Sequence, residues 1–468
     1  MVSRIELTPR EMRALGYRVV DILVERFSSL REQPPAVTGR REELEARFRE
    51  PLPEQGADPS AVVAQAVEHA FGNAMRVDHP RFFAFVPSPG NFVGAMADAL
   101  ASGFNPFVGT WLAGSGPAAI ELVTVDWLRD ICGFPESAGG LFLSGGSMAN
   151  LTALAVARHV RLGGEMSGAQ VYFSDQTHSS VERALRVLGF GAGQVRKLPV
   201  DAGFRLDPAA LEQAIAADRA AGLRPFCVVA NAGTTNTGAV DPLEDLAALC
   251  RAGGLWLHVD GAYGAASMIV DEGRAAMRGI EAADSLSLDP HKWLFQPFEC
   301  GCVLVRDRRL LRDTFRITPD YLRDAHRLRE EINFCDHGVQ LTRGFRALKL
   351  WMTLKVFGAA AVRDAVSHGF GLARLAEERL REAGCWEITS PAQMAIVAFR
   401  YADAGRTEEE LEAINRRLVG DMIADGYAVL SSTVLGGRTA LRLCTINPRT
   451  TAEEIVETVR RLGRCAKL

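Results

Sequence analysis

The sequence predicts an α/β protein, with a mostly parallel sheet between helices followed by a smaller α+β unit. Three observations predict it. Over about residues 81–361, short apolar or β-branched runs alternate with amphipathic stretches of helical length; among the runs are Val171-Tyr-Phe, Cys227-Val-Val-Ala, Leu255-Trp-Leu-His-Val, Ser285-Leu-Ser-Leu and Gly301-Cys-Val-Leu-Val. That alternation belongs to parallel strands whose return connections are helices covering both faces. From about residue 362 the order changes: strand-like runs at Met394-Ala-Ile-Val-Ala-Phe-Arg400 and Thr439-Ala-Leu-Arg-Leu-Cys444 are interleaved with helices over 407–425 and 451–462. Finally, 468 residues are more than one domain usually holds, and 48% hydrophobic with 24% charged residues can bury a large core.

Three segments follow: an N-terminal helical layer over 1–80, a large domain over 81–361 and a small domain over 362–468. The first layer opens on Thr8-Pro9-Arg10-Glu11, a capping box with proline at the first helical position, which predicts a helix to about residue 30. Gln33-Pro34-Pro35 ends it. A charged helix over 42–50, a proline-bearing loop over 51–59 and a helix over 61–74 complete a layer with too little core to fold alone.

Net charge −4 offers no electrostatic attraction for nucleic acid or an anionic membrane. No uninterrupted apolar run reaches membrane length, and Met1-Val-Ser-Arg-Ile-Glu-Leu has no apolar targeting core. The nine cysteines are odd in number, scattered and mostly within apolar runs, which predicts reduced thiols and a cytoplasmic protein. Cys300-Gly-Cys302 is too tight for a zinc knuckle and reads as core packing; no metal site is expected.

Chemistry enters at Asp289-Pro290-His291-Lys292-Trp293, because an ammonium group is expensive inside the mostly apolar stretch 285–305. A lysine placed there can form a Schiff base with an aldehyde such as pyridoxal phosphate. A lysine snorkelling from a surface turn is the ordinary alternative. Upstream, Leu255-Trp-Leu-His-Val-Asp260 is a buried-type strand ending in a carboxylate, at the end where open α/β sheets bind ligands. Asp260 is suited to keeping a cofactor's ring nitrogen protonated, although an aspartate after a strand also simply makes turns. Phe142-Leu-Ser-Gly145-Gly146-Ser147 reads as strand, glycine turn and helix start, whose free N–H groups suit a phosphate, yet the dinucleotide and Walker fingerprints are missing. Val171-Tyr-Phe-Ser-Asp-Gln-Thr-His178 delivers a histidine to a loop before another helix.

Taken together, Gly145-Gly146-Ser147, His178, Gly233-Thr234-Thr235, Asp260 and Asp289-Pro-His-Lys292 resemble the group II amino-acid decarboxylases that depend on pyridoxal 5'-phosphate. The resemblance runs from Thr8 to about Ile446 and is nearest the aromatic-L-amino-acid decarboxylase branch, in His79-Pro-Arg-Phe-Phe-Ala-Phe85, Ser174-Asp-Gln-Thr-His-Ser-Ser-Val-Glu-Arg183 and Phe345-Arg-Ala-Leu-Lys-Leu-Trp351. It implies fold type I, the aspartate-aminotransferase-like arrangement, in a homodimer whose active site lies at the subunit interface. By the same resemblance Lys292 carries the cofactor as a Schiff base, Asp260 holds its ring nitrogen and His178 stacks on the ring. Gly146, Ser147 and His291 take the phosphate, and Thr235 and Ala262 pack around the ring. Asp289 stands where some relatives carry asparagine, and a second negative charge beside a phosphate leaves its role open.

Bond selection rests on Tyr321, opening a polar stretch over 323–331 that reads as a loop closing over the site. In the family a matching tyrosine protonates the carbanion after carbon dioxide leaves, whereas relatives with phenylalanine there consume oxygen and make aldehydes. Phe85, Ser88, Phe107, Trp111 and Thr342 match the wall around aromatic side chains, with Phe107 and Trp111 reaching in from the partner subunit. Val77 and Gly109 replace larger aromatic residues of animal relatives, so a roomier pocket is expected. The predicted reaction is decarboxylation of an L-amino acid, aromatic by the resemblance (tyrosine, dopa, phenylalanine or tryptophan). The alternatives are a non-aromatic substrate (glutamate, aspartate, histidine or diaminobutyrate), an oxygen-consuming aldehyde synthase, an aminotransferase using Arg442 for the substrate carboxylate, and a binding protein without turnover.

Overall fold

A computed structural model describes residues 5–317 and 331–467. Its large sheet contains β1 (Gly139–Leu143), β2 (Ala169–Ser174), β3 (Val195–Leu198), β4 (Arg224–Asn231), β5 (Trp256–Asp260), β6 (Ser285–Leu288) and β7 (Gly301–Val305), in the spatial order β1-β7-β6-β5-β4-β2-β3. Neighbours from β6 to β3 pair in parallel; β7 runs antiparallel to both β6 and β1. The α/β expectation therefore holds, with a mixed sheet.

Alternate strand residues feed two separate cores. Phe142, Tyr172, Val228, Leu257, Val259, Leu286 and Leu304 pack on one face. Leu141, Leu143, Val171, Phe173, Val229, Val303 and Val305 pack on the other. That two-residue alternation, buried both ways, is why these strands read as continuous apolar runs. Polar residues appear where the parallel strands finish: Asn231, Asp260 and Ser287 lie side by side in register across β4, β5 and β6.

The Ala347–Glu382 helix leads to the second sheet and has non-helical backbone at Gly358. That sheet is antiparallel: β8 (Trp386–Gln393), β9 (Ile396–Tyr401), β10 (Ser431–Leu435) and β11 (Arg438–Cys444), in the order β10-β11-β9-β8. Capping boxes at Thr407 and Thr451 open the helices Glu408–Asp425 and Ala452–Cys465 that cover it.

At the N-terminus the capping box on Thr8 opens a helix ending at Ser28, and Leu30–Glu32 continues as a 3-10 turn. The second predicted helix is Arg41–Phe48. The third starts earlier than expected, at Pro59 with Asp58 as its cap, and α-geometry stops at Gln65. Beyond it Ala66–Ala70 is a π turn and Phe71–Asn73 a 3-10 turn. Among the described residues no helix is long and apolar enough to cross a membrane. The cysteines are unpaired and all but Cys385 are buried.

Candidate active site

A cavity of about 340 Å³ opens at the ends of β4, β5 and β6 and at the glycine turn after β1. All nine residues expected at the cofactor line it: Gly146, Ser147, His178, Thr235, Asp260, Ala262, Asp289, His291 and Lys292. They come from five separate segments. Convergence at the carboxyl ends of parallel strands follows from the fold, because each strand-to-helix loop emerges there.

Lys292 sits in the tight turn after β6. Its N–H donates to the Asp289 carbonyl at 2.9 Å, and the Asp289 N–H donates to the Ala262 carbonyl at 2.8 Å. Trp293, fully buried against Tyr263 and Phe370, anchors the turn from behind. Lys292 is not a lone cation in an apolar run: Nζ lies 3.0 Å from Asp289 Oδ2. His291 is held by the Cys300 N–H, which donates to Nδ1 at 3.1 Å. Burial lowers the His291 pKa against the pull of Asp289.

Asp260 accepts from Asn150 Nδ2 at 2.9 Å, from the Ala262 N–H at 3.1 Å and from Ser287 Oγ at 3.2 Å. Burial opposes its ionisation, but Lys292, His258 and His178 together hold the carboxyl below the usual range. His178 is the N-cap of the helix Ser179–Val187, its Nδ1 accepting from the Ser180 N–H at 3.3 Å. Burial lowers its pKa as well.

The glycine turn is shaped by close approach. A Cβ on Gly146 would meet Asp289 Oδ2 at 2.8 Å and the Ala262 methyl at 3.1 Å; one on Gly145 would meet His291 at 3.0 Å. The helix Gly146–Leu162 starts at the cavity; its Met148 and Ala149 N–H groups donate to the Gly145 carbonyl, which leaves those of Gly146 and Ser147 where an anion is favoured. Asp289 Oδ1 is buried without a hydrogen-bond partner. A lysine amine, a buried ionised carboxylate, a stacking-sized imidazole and an anion-receiving helix start in one cavity fit the aldehyde, ring nitrogen, ring face and phosphate of pyridoxal phosphate.

The family model of the pyridoxal-dependent decarboxylase conserved domain matches residues 43–402. The chain belongs to that family. Its cofactor is pyridoxal phosphate, and it is a decarboxylase. Over its whole length it is 47% identical to the aromatic-L-amino-acid decarboxylase of Bacillus atrophaeus, covering 98% of that protein. The structure of the Oryza sativa TDC with PLP and tryptamine superposes with a TM-score of 0.94 at 30% identity, over 99% of each chain. The Rhodiola rosea 4-hydroxyphenylacetaldehyde synthase gives 0.91 at 25% identity, over 98% of this chain and 99% of that one.

The residues expected on the substrate side lie elsewhere within the single chain. Phe85, Ser88, Phe107, Trp111 and Thr342 are not among the residues lining the cavity. Phe85, Phe107 and Thr342 are exposed, while Ser88 is buried and donates to the Gln296 carbonyl. Within the chain the space beside Gly109 is filled, since a Cβ on it would meet the Phe107 ring and the Leu341 carbonyl oxygen, the latter at 2.7 Å. Arg442 is buried, donates to the Phe85 carbonyl at 2.6 Å and does not line the cavity. Tyr321 and most of the polar stretch after it lie outside the described residues.

Sequence reasoning missed Asn150, Ser180, Asn231 and Glu299, which line the cavity, and His258 and Ser287 behind it. Asn150 within an apolar helix and His258 within an apolar strand carried the signal already used for Lys292: a polar group where burial is expensive.

Proposed function

We propose that this decarboxylase acts on aromatic L-amino acids, such as tyrosine, dopa, phenylalanine or tryptophan, and releases the amine and carbon dioxide. The observation that carries the reading is the convergence of Lys292, Asp260 and His178 on one cavity at the strand ends, in a chain so similar to an aromatic-L-amino-acid decarboxylase.

Lys292 would hold the cofactor at its aldehyde through Nζ until a substrate amine takes its place. Asp260, kept ionised, holds a proton at the ring nitrogen. When bound, pyridoxal phosphate supplies an electron sink for the pair left on the α-carbon as carbon dioxide departs. The first turn of Gly146–Leu162, with Ser147 and His291, receives the phosphate. His178 would lie against the ring and orient the substrate. Tyr321 returns a proton to the α-carbon, so that the carboxylate is replaced by hydrogen.

Phe85, Ser88, Phe107, Trp111 and Thr342 form the wall for the aromatic side chain, with Phe107 and Trp111 contributed by the second subunit of a homodimer. The Pro9–Ser28 helix, without a buried residue and exposing Met12, Tyr17, Val20 and Val24, supports such a dimer. Reduced, buried thiols support a cytoplasmic location. A second reading, oxygen-consuming aldehyde formation, draws support from the likeness to the Rhodiola rosea synthase; Tyr321 favours decarboxylation over it.

The test is kcat/KM for tyrosine, dopa, phenylalanine, tryptophan, histidine, glutamate, aspartate and diaminobutyrate, with products identified by mass spectrometry. An aromatic amino acid is expected to exceed every other class by at least about a hundredfold, since an acidic side chain in an apolar pocket loses its hydration unpaired. Amine formed best from glutamate, aspartate, histidine or diaminobutyrate would sink the aromatic assignment.

A further inference from the structure

Behind the cavity runs a chain of buried hydrogen bonds whose direction can be argued from its two ends. It begins at Trp256, whose indole Nε1–H can only donate and reaches Ser285 Oγ at 2.9 Å. Ser285 Oγ lies 2.9 Å from His258 Nδ1. On the far side of that ring, His258 Nε2 lies 2.9 Å from Asn150 Oδ1. Asn150 Nδ2 then donates twice, to Asp260 Oδ2 at 2.9 Å and to Ser180 Oγ at 3.0 Å. Ser180 Oγ lies 2.8 Å from His178 Nδ1. Trp256, Ser285, His258, Asn150 and Ser180 are all buried, and His258 and Ser285 are wholly so.

The chemistry of each group fixes where the protons sit. Asp260, an ionised acceptor, forces the amide nitrogen of Asn150 toward it and therefore the amide oxygen toward His258. That oxygen accepts, so His258 must carry its proton on Nε2. In the neutral ring Nδ1 is then bare and accepts the Ser285 hydroxyl, which the Trp256 donor leaves free to point that way; a second proton, on Nδ1, would instead face the Ser285 backbone. At the other branch, Ser180 Oγ accepts from Asn150 and spends its own hydrogen on His178 Nδ1. The Ser180 backbone N–H donates to the same nitrogen, so His178 also keeps its proton on Nε2. Both rings are neutral in this scheme, in keeping with burial that brings the His258 pKa to about 4 and lowers that of His178.

We propose that Asn150 is the positioning residue of this decarboxylase: one amide orients the Asp260 carboxylate proposed to meet the cofactor ring, sets the Nε2–H tautomer of His258 by direct contact, and through the Ser180 hydroxyl reinforces the same tautomer that the Ser180 backbone N–H already imposes on His178. The inference rests on the proposed facing of Asp260 and His178 toward cofactor and substrate; the tautomers themselves do not. Asn150 touches neither reacting atom. Its effect is to hold the Asp260 oxygens in one orientation and to leave His178 with a donor, not a base, as its remaining ring nitrogen.

The experiment is 15N NMR of the cofactor-loaded protein labelled at histidine ring nitrogens, with His178 and His258 assigned by loss of signal in His178→Asn and His258→Asn. Both rings are expected to show protonated Nε2 and bare Nδ1 near neutral pH. In Asn150→Ala the His258 signals should move and the visible spectrum of the bound cofactor should change. There kcat should fall by about ten- to a hundredfold, the range for losing a hydrogen bond to a charged group, with KM altered by less than about threefold. Ser285→Ala, which leaves Asp260 and the cavity lining untouched, should move the His258 signals even where Asn150→Ala does not fold. A proton on His258 Nδ1, a doubly protonated His258, His258 signals that ignore Ser285→Ala, or an Asn150→Ala protein with unchanged kcat and cofactor spectrum would each overturn the proposal. If the wild-type protein makes no amine from any amino acid yet shows these tautomers, the functional reading fails and the relay stands.

Discussion

Lys292 Nζ lies 3.0 Å from Asp289 Oδ2, and that same oxygen sits 3.6 Å from His291 Nε2. One carboxylate therefore holds Lys292, the lysine proposed to carry the cofactor, beside the start of the helix Gly146–Leu162, where we propose the phosphate is received. The sequence left the purpose of Asp289 open. Its geometry supplies one: a counter-ion for Lys292 until the cofactor arrives.

The charge of Asp289 should therefore work against phosphate binding. Asp289→Asn keeps an oxygen for Lys292 and removes the repulsion, so cofactor affinity is expected to rise by about three- to tenfold, roughly the worth of one charge at a helix N-terminus. Titration of cofactor-free protein, followed by absorbance, measures it. Weaker binding in Asp289→Asn would mean that the carboxylate itself assists the cofactor.

Lys292→Ala should still fold and take up the cofactor, because the helix start, Asp260 and His178 remain. It should lose the covalent link. Borohydride reduction and peptide mapping should place the cofactor on Lys292 in the wild type and on no lysine in the variant.

His258 makes stability depend on pH. Its pKa is about 4 in the fold against an ordinary 6.5, because burial disfavours the charged ring. The unfolded chain thus binds the extra proton first as pH falls. The stabilisation is full above pH 6.5 and is lost between 6.5 and about 4, to a total of roughly 3 kcal/mol. Asp241, raised to about 6 by burial, works in the opposite sense as pH rises from 3.8 to about 6, so the two must be separated by substitution. Urea unfolding between pH 4 and 7 should show a shallower loss on acidification in His258→Asn than in the wild type. Parallel curves would exclude His258 as the source.

Arg343 and Glu121 form a buried ion pair, both nearly inaccessible, with Arg343 also donating to the Val108 and Phe142 carbonyls. The pair ties the segment after residue 331 to β1 and to the 107–111 segment, where the Cys335 N–H reaches the Gly109 carbonyl. Glu121→Ala strands a guanidinium in the core and is expected to cost about 3–5 kcal/mol. Equilibrium urea unfolding should read that loss, and a change below about 1 kcal/mol would show the pair to be dispensable.

The cofactor half of the site was legible because its chemistry is written in short segments at strand ends. Fixed backbone geometry brings Gly146, His178, Asp260 and Lys292 to one edge of the sheet, whatever the distant packing. The substrate half was less legible, since Phe107, Trp111 and Thr342 do not line the cavity, and in the proposed dimer their placement depends on a second surface. Strand direction was hidden too: Gly301–Val305 is apolar on both faces whether it runs parallel or antiparallel. Val195–Leu198 was overlooked because Arg196 and Lys197 break its apolar pattern at an edge position. The relay through Asn150 and His258 joins residues far apart in sequence, which no local pattern announces.

Incubating cofactor-loaded protein with carboxyl-labelled tyrosine, dopa, phenylalanine and tryptophan, while following carbon dioxide, amine and dissolved oxygen together, tests aromatic decarboxylation most directly. One carbon dioxide released per amine formed, with no oxygen consumed, is the predicted result. Aldehyde with oxygen uptake, or keto acid without carbon dioxide, would contradict it.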